Sequence, residues 1–222
     1  MTRAELVETL RSRGVRDERV LAAIGRVPRE RFVPTGLRKR AYDDAALAIG
    51  HGATISQPLM VAAICALLGL EGGERVLDVG TGSGYQAAVL AELAAEIVTI
   101  ERIPELAASA QAALAEAGYD GVEVRIGDGT LGARDRGPFD AIAVAAAAPE
   151  PPPALVEQLA PGGRLVVPVG GRRGQRLAIV RRIGAELRTE RSVACRFVPL
   201  VGRGGFAEEE EWDIAFDGES SR

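Results

Sequence analysis

Through the middle of the chain, short apolar runs alternate with segments of helical period. The runs are Arg75 to Val79, Ile97 to Glu101, Val122 to Ile126, Phe139 to Val144 and Arg164 to Val169, each of strand length. Between them, Tyr85 to Leu93, Pro104 to Ala117 and Pro153 to Leu159 read as helices, the first two rich in alanine and leucine. This alternation predicts an α/β fold, a doubly wound and mostly parallel sheet. Parallel neighbours need a crossover, and each crossover helix must bury its apolar stripe on a face of the sheet.

The flanks follow other rules. Thr2 followed three residues later by Glu5 has the form of a capping box, with Leu6, Val7 and Leu10 on one face of the helix it opens, and Gly14 ends it. A second helix starts at Asp17, buries Val20, Leu21 and Ile24, and stops at Pro28. Arg29 to Asp44 reads as irregular. Pro58 to Leu68 is almost wholly apolar and predicts a buried helix opened by its proline, with Ser56 as a candidate cap. Beyond Gly174, Leu177 to Arg182 and Ser192 to Pro199 are strand-like with no helix between them, which predicts an antiparallel hairpin at the sheet edge. The expected organisation is an N-terminal helical segment (1–57), one α/β domain (58–205) and an acidic, flexible tail (206–222).

A length of 222 residues suits one core and one main site. The formal net charge of −4 argues against a chain built to coat nucleic acid, because that affinity rests on many cations meeting phosphates. The basic runs Arg38-Lys39-Arg40 and Arg172-Arg173 read as solvated loop charges. Met1 to Leu10 carries Arg3, Glu5 and Glu8 where a leader needs an apolar core, and no run reaches the ~20 residues that span a bilayer, so no membrane association and a cytoplasmic location are expected. Cys65 and Cys195 lie amid apolar neighbours with no ligand spacing beside them, so two reduced, buried thiols and no metal are expected.

The chemistry concentrates at Asp78-Val79-Gly80-Thr81-Gly82-Ser83-Gly84, after the first strand and before a helix. Gly80 and Gly82 permit a tight turn and close approach of backbone to a ligand. The spacing is G-x-G-x-G, and Tyr85 stands where the dinucleotide fingerprint G-x-G-x-x-G puts its third glycine. Asp78 would repel a pyrophosphate but suits a ligand bearing ammonium and sulfonium charges, which points to S-adenosyl-L-methionine. Glu101, ending the second strand, is placed to accept from both ribose hydroxyls, and Asp128 in Gly127-Asp128-Gly129 to accept from the adenine amino group.

The ordered series Ile49 to Pro58 (IGHGATISQP), Asp78 to Ala88 (DVGTGSGYQAA), Val98 to Arg102 (VTIER), Gly127 to Gly132 (GDGTLG), Pro138 to Ala141, Ala147 to Glu150, Leu159 to Gly170 and Phe197 to Leu200 resembles the protein-L-isoaspartate O-methyltransferases, from near the N-terminus to about Gly202. That resemblance implies a Rossmann-like methyltransferase that esterifies the free α-carboxylate of L-isoaspartyl and D-aspartyl residues in damaged proteins and peptides, beginning their repair. It puts Ser56 at the active-site position and Thr54 and Ile55 in a loop closing over cofactor and substrate. Cofactor contacts are expected at Thr54, Ile55, Ser56, Asp78, Gly80 and Thr81, and further at Gly82, Ser83, Glu101, Arg102, Asp128 and Gly129. Ala53, where many bacterial relatives have glutamine, Ala145, where threonine is common, and Asp43-Asp44-Ala45-Ala46, which lacks a proline after the aspartates, depart from the pattern.

His51, the one histidine, is expected to pack the loop or touch substrate, since a side-chain-like carboxyl with a pKa near ~4 needs no base at neutral pH. Amino-group methylation of bases calls for an Asn/Asp-Pro-Pro-aromatic motif after the fourth strand, where this chain reads Val144 to Ala148. A peptide-tailoring or small-molecule carboxyl O-methyltransferase on the same scaffold is the alternative. A monomer is expected.

Overall fold

A computed structural model describes residues 1–208, so the expected acidic tail lies outside the described residues apart from its first three. Helices α1 (Arg3–Ser12) and α2 (Glu18–Arg26) open the chain. The Thr2 hydroxyl accepts from the Glu5 N–H at 3.2 Å while the Glu5 carboxylate accepts from the Thr2 N–H at 2.7 Å. The Asp17 carboxylate accepts from the N–H groups of Arg19 and Val20. Each arrangement satisfies donors that a first helical turn leaves unpaired. The Arg29 to Asp44 stretch, expected to be irregular, holds two 3-10 turns, Arg29–Arg31 and Thr35–Arg40. A small antiparallel pair follows, β1 (Leu47–Gly50) and β2 (Ala53–Ile55), reversing through Gly50, His51 and Gly52 at φ of 93°, 53° and 70°.

Helix α3 spans Pro58–Leu68, as its composition implies, but its cap differs from the expectation. Gln57, not Ser56, stands at the N-cap position and makes no side-chain cap bond. The Leu59 N–H instead donates to Asp44 Oδ1 at 2.9 Å, and Arg13 Nη1 lies 2.6 Å from Asp44 Oδ2. The Asp44 side chain is only 5% exposed, so this carboxylate is a charge-assisted cap delivered from another segment. Ser56 sits one residue too early to compete with it.

From there the chain forms β3 (Arg75–Val79), α4 (Tyr85–Ala91), β4 (Glu96–Glu101), α5 (Pro104–Glu116), β5 (Glu123–Ile126), β6 (Phe139–Val144), α6 (Pro153–Glu157), β7 (Leu159–Gly171), β8 (Gly174–Ile183) and β9 (Glu186–Cys195). These strands make a seven-stranded sheet in the order β5-β4-β3-β6-β7-β8-β9. It is parallel from β5 to β7, and β8 and β9 join antiparallel. β7 starts at Leu159 rather than Arg164, because Phe139 pairs with Leu159 and its N–H donates to the Gln158 carbonyl at 2.8 Å. The edge hairpin is longer than expected and begins with β7 itself.

Both faces of the sheet are covered. Leu6, Leu10, Leu21 and Ile24 from the N-terminal helices share one buried cluster with Val76, Ala141 and Val166. Leu77, Val79, Ile142, Val144 and Leu155 build the other face. The chain runs from β3 outward to β5 and then returns to β6 on the other side of β3. At such a reversal the crossovers part and leave a crevice at the strands' carboxyl ends. Among the described residues, no helix is long and apolar enough to cross a membrane.

Candidate active site

The crevice is floored by the turn after β3, where Gly80 and Gly82 adopt φ of 90° and 53°. The N–H groups of Gly80 and Thr81 both donate to the Ile100 carbonyl, at 2.9 and 3.2 Å, which ties the turn to β4. The loop after β5 is pressed equally close. A Cβ on Gly129 would stand 2.6 Å from Val79 Cγ1, so only glycine fits there.

Two acids lie beside this turn, and they are held differently. Glu101 is 6% exposed; its Oε2 accepts from the Gly82 N–H at 2.9 Å and its Oε1 from the Ile103 N–H at 3.0 Å. A carboxylate has about four lone-pair sites, so two remain for a ligand diol. Asp78 is fully buried, with Oδ1 accepting from Gln86 Nε2 at 2.7 Å and Oδ2 from the Thr99 hydroxyl at 2.9 Å. Burial pushes its carboxyl up to about 6, against the lowering effect of the Gln86 and Thr99 hydrogen bonds, and the nearby Glu101 charge adds to the rise.

Above the turn lies a cavity closed by Thr54 to Ser56, Glu101 to Ile103, Gly129 and the segment Val198 to Val201. A second cavity adjoins it, lined by Asp44, Gln57, Met60, Cys195, Arg196 and Phe197. Thr54, Ser56, Ala145 and Val198 line both, so they form the wall between them. Cys65 is fully buried as expected, whereas Cys195 is only partly buried, at the rim of this second cavity.

That wall is braced from behind. Arg29 is fully buried; its Nε donates to the Ala41 carbonyl and its Nη2 to the Ser56 carbonyl, both at 2.8 Å. Its guanidinium lies over the Tyr85 ring, 4.5 Å from the centroid, and burial lowers its pKa. On the opposite side, the Gln175 amide donates to the Phe197 carbonyl at 3.1 Å and accepts from the Phe197 N–H at 2.7 Å. The Ala147 N–H donates to the Val198 carbonyl at 2.8 Å. A side-chain amide thus substitutes for a strand neighbour and fixes the segment that roofs the site.

The structure brings Thr54, Ile55, Ser56, Gly80, Thr81 and Gly82 to the first cavity, together with Ser83, Glu101, Arg102 and Gly129. Asp78 and Asp128 are placed otherwise. Asp78 stands behind Gln86, which does line the cavity. Asp128 faces a separate depression with Arg203 and Phe206. Its Oδ1 accepts from the Thr130 N–H at 2.9 Å and hydroxyl at 2.6 Å, and its Oδ2 from the Arg203 N–H at 2.9 Å. Burial raises its pKa, but these bonds outweigh burial and hold the carboxyl below the usual range. Gln86 and Val198 to Val201 were given no place in the site by the sequence, and Tyr85 served there only to distinguish the turn from a dinucleotide fingerprint. The run Phe197 to Leu200 carried part of the resemblance without a role attached to it.

A family model for protein-L-isoaspartate(D-aspartate) O-methyltransferase matches residues 1–205. The chain belongs to this family. The protein-L-isoaspartate O-methyltransferase of Roseiflexus castenholzii is 52% identical over 207 residues, covering 93% of this chain and 95% of the relative. That of Methanoculleus marisnigri is 51% identical over 209 residues, covering 93% and 94%. A solved protein-L-isoaspartate O-methyltransferase structure has a TM-score of 0.82 at 29% identity, covering 92% of this chain and 67% of that one. Another, from Plasmodium falciparum, is described under the same family name and was solved in complex with S-adenosyl-L-homocysteine. It has a TM-score of 0.79 at 26% identity, covering 89% and 97%. The fold class expected from the alternating pattern is the fold of this methyltransferase family.

Proposed function

We propose that this chain transfers the methyl group of S-adenosyl-L-methionine to the free α-carboxylate of L-isoaspartyl and D-aspartyl residues in damaged proteins and peptides. The observation that carries the reading is Ser56 on the wall shared by two cavities. The Gly80–Ser83 turn and Glu101 line one side of that wall, and a groove rimmed by Arg196 and Phe197 lies on the other. Family membership supplies the reaction, and the donor set fits the cofactor: two buried acids, in no ion pair among the described residues, suit a cationic ligand.

S-adenosyl-L-methionine, when bound, supplies an electrophilic methyl group on a sulfonium sulfur. Thr54, Ile55, Ser56, Gly80, Thr81 and Gly82 would hold it together with Ser83, Glu101, Arg102 and Gly129. Asp78 would contribute charge from behind the wall, and Asp128 would act through the loop it braces. Ser56 and nearby backbone orient the incoming carboxylate, and the Val198 segment keeps water out. The task is proximity and alignment rather than proton transfer, because the attacking carboxylate is already ionised at neutral pH. The reading includes a working monomer, and the net charge of −4 supports proteins and peptides rather than nucleic acid as substrate. The same reading places the enzyme in the cytoplasm.

Two synthetic peptides, identical except for L-isoaspartate in one and L-aspartate in the other, test this with methyl-labelled S-adenosyl-L-methionine and a base-labile ester readout. Labelling of the isoaspartyl peptide alone is expected, because a small misplacement of the attacking oxygen costs about 100-fold in rate. Equal labelling of both peptides, or labelling of a small metabolite with neither peptide modified, would overturn it in favour of a different carboxyl substrate.

A further inference from the structure

Among the described residues, Tyr85 and Gln86 both line the cofactor cavity and each carries a buried side-chain oxygen with no hydrogen-bond partner; of the two, the Gln86 oxygen can only accept. Gln86 opens toward the cavity from the first turn of α4 and is 5% exposed, and its Oε1 is buried without a hydrogen-bond partner. The other end of the same amide is fixed, since Nε2 donates to Asp78 Oδ1 at 2.7 Å. The orientation of the amide follows from chemistry. An ionised carboxylate only accepts, so the NH2 group must face Asp78 and the carbonyl oxygen must point away from it. Thr99 occupies the second Asp78 oxygen and is itself 2.7 Å from the Thr81 hydroxyl, so the acid is held in place from both sides.

An acceptor left unpaired in a buried site is costly, and native structures keep such groups where a ligand or water completes them. The matching ligand group is a donor, and one that carries positive charge. A carboxylate hydrogen-bonded to the NH2 end of an amide draws the amide dipole toward itself and enriches the carbonyl oxygen in negative charge. Asp78, which does not line the cavity, thereby acts on it through Gln86.

Resting on the cofactor reading above, we infer that Gln86 Oε1 is the direct acceptor for the α-ammonium group of the cofactor's amino-acid end. Gln86 is then a specificity-determining residue that separates a full S-adenosyl amino acid from analogues lacking the amine.

The test compares two ligands by calorimetric titration: S-adenosyl-L-homocysteine and its desamino analogue, which keeps the carboxylate and lacks the amine. The full-length enzyme should prefer the first, and Gln86→Leu should abolish that preference. It should weaken S-adenosyl-L-homocysteine on the order of tenfold to a hundredfold while leaving the analogue within about twofold. Equal weakening of both ligands would show that Gln86 only shapes the cavity and would overturn the inference. So would unchanged affinity for both. In case Gln86→Leu does not fold, the side-chain amide resonances of Gln86 in the unsubstituted enzyme give a second readout. They should shift with S-adenosyl-L-homocysteine and not with the analogue, and identical shifts with both would overturn the assignment. An unsubstituted enzyme that binds neither ligand overturns the cofactor reading itself, a result distinct from loss of the preference alone.

Discussion

Arg29 holds Ser56 by its backbone: Nη2 donates to the Ser56 carbonyl at 2.8 Å from a position with no solvent exposure. The same guanidinium bonds the Ala41 carbonyl and lies over Tyr85, so one side chain joins the first 3-10 turn, the Ala41 turn, the Ser56 loop and α4. A lysine keeps the charge but loses the planar fork that reaches two carbonyls at once. For Arg29→Lys we expect a loss of about 1–3 kcal/mol in unfolding free energy, from carbonyls left without donors. Methyl transfer should also fall, through kcat more than through cofactor affinity, since Ser56 is displaced and the Gly80 turn is not. Denaturant unfolding together with kcat and S-adenosyl-L-homocysteine titration checks this. A variant that is destabilised but keeps its kcat would reduce Arg29 to a structural brace.

Glu101 joins two roles in one carboxylate, because it accepts from the Gly82 and Ile103 N–H groups and also faces the cavity. Glu101→Ala should weaken S-adenosyl-L-homocysteine by about 1–3 kcal/mol through lost ribose hydrogen bonds. Glu101→Gln can still accept from one of the two backbone donors and should fall between. Calorimetric titration of both variants decides, and an unchanged affinity in folded Glu101→Ala would remove this residue from the cofactor site.

What was legible along the chain is what local chemistry dictates. The limits of α3 follow from Pro58 and from Gly69, whose φ of 56° makes a left-handed cap. The β3–turn–α4 unit follows from an apolar run ending in spaced glycines. Less legible was whatever another segment decides. The α3 cap comes from Asp44, fifteen positions upstream of the Leu59 N–H it satisfies. β1 and β2 have four and three residues, too few for an alternating pattern to stand out. Asp128, expected from its spacing to meet the ligand, also accepts from Thr130 in its own loop and from Arg203, contacts that no local spacing foretells. Thus the strand–turn–helix unit could be read directly, while the hydrogen-bond partners of the acids beside it required the packed structure.

Asp78 makes two quantities depend on pH. Its carboxyl is held near about 6 in the folded protein, chiefly by burial, against an ordinary value of 3.8. The native state therefore binds this proton more tightly than the unfolded chain does. Its contribution to stability falls as the pH rises from about 4 to about 6 and is level above that. The α-ammonium group that S-adenosyl-L-homocysteine shares with the cofactor reverses the preference by favouring the ionised form, so a proton must leave on binding below pH about 6. We expect S-adenosyl-L-homocysteine affinity to weaken as the pH falls through that value, approaching about tenfold per unit. Asp78→Asn should flatten that slope while keeping the fold, because an asparagine can accept from Gln86 and donate to the Thr99 hydroxyl. Titrations between pH 5 and pH 8 on both proteins test it, and an equal slope in the asparagine variant would assign the titration to another group.

His51 and Ser56 lie on either side of β2, His51 in the turn before it and Ser56 just after it, and they separate proton transfer from orientation. Ser56 lines both cavities and leaves the capping of α3 to Asp44, so its hydroxyl is available to the reacting partners rather than to the helix. For Ser56→Ala we expect a fall in methyl transfer of about 10- to 100-fold with a smaller loss of cofactor affinity, the signature of lost alignment. His51 is exposed in the hairpin turn at φ 53°, a conformation that asparagine tolerates better than other side chains. His51→Asn therefore preserves the turn while removing the imidazole. If the attacking group is a carboxylate, ionised well below neutral pH, the reaction has no proton to remove and this variant should keep most of its kcat between pH 6 and 8. Single-turnover transfer to an isoaspartyl peptide at several pH values measures both variants. A His51→Asn enzyme that folds and binds cofactor but transfers no methyl group would mean that the histidine takes part in the chemistry, and alignment alone would no longer account for the rate.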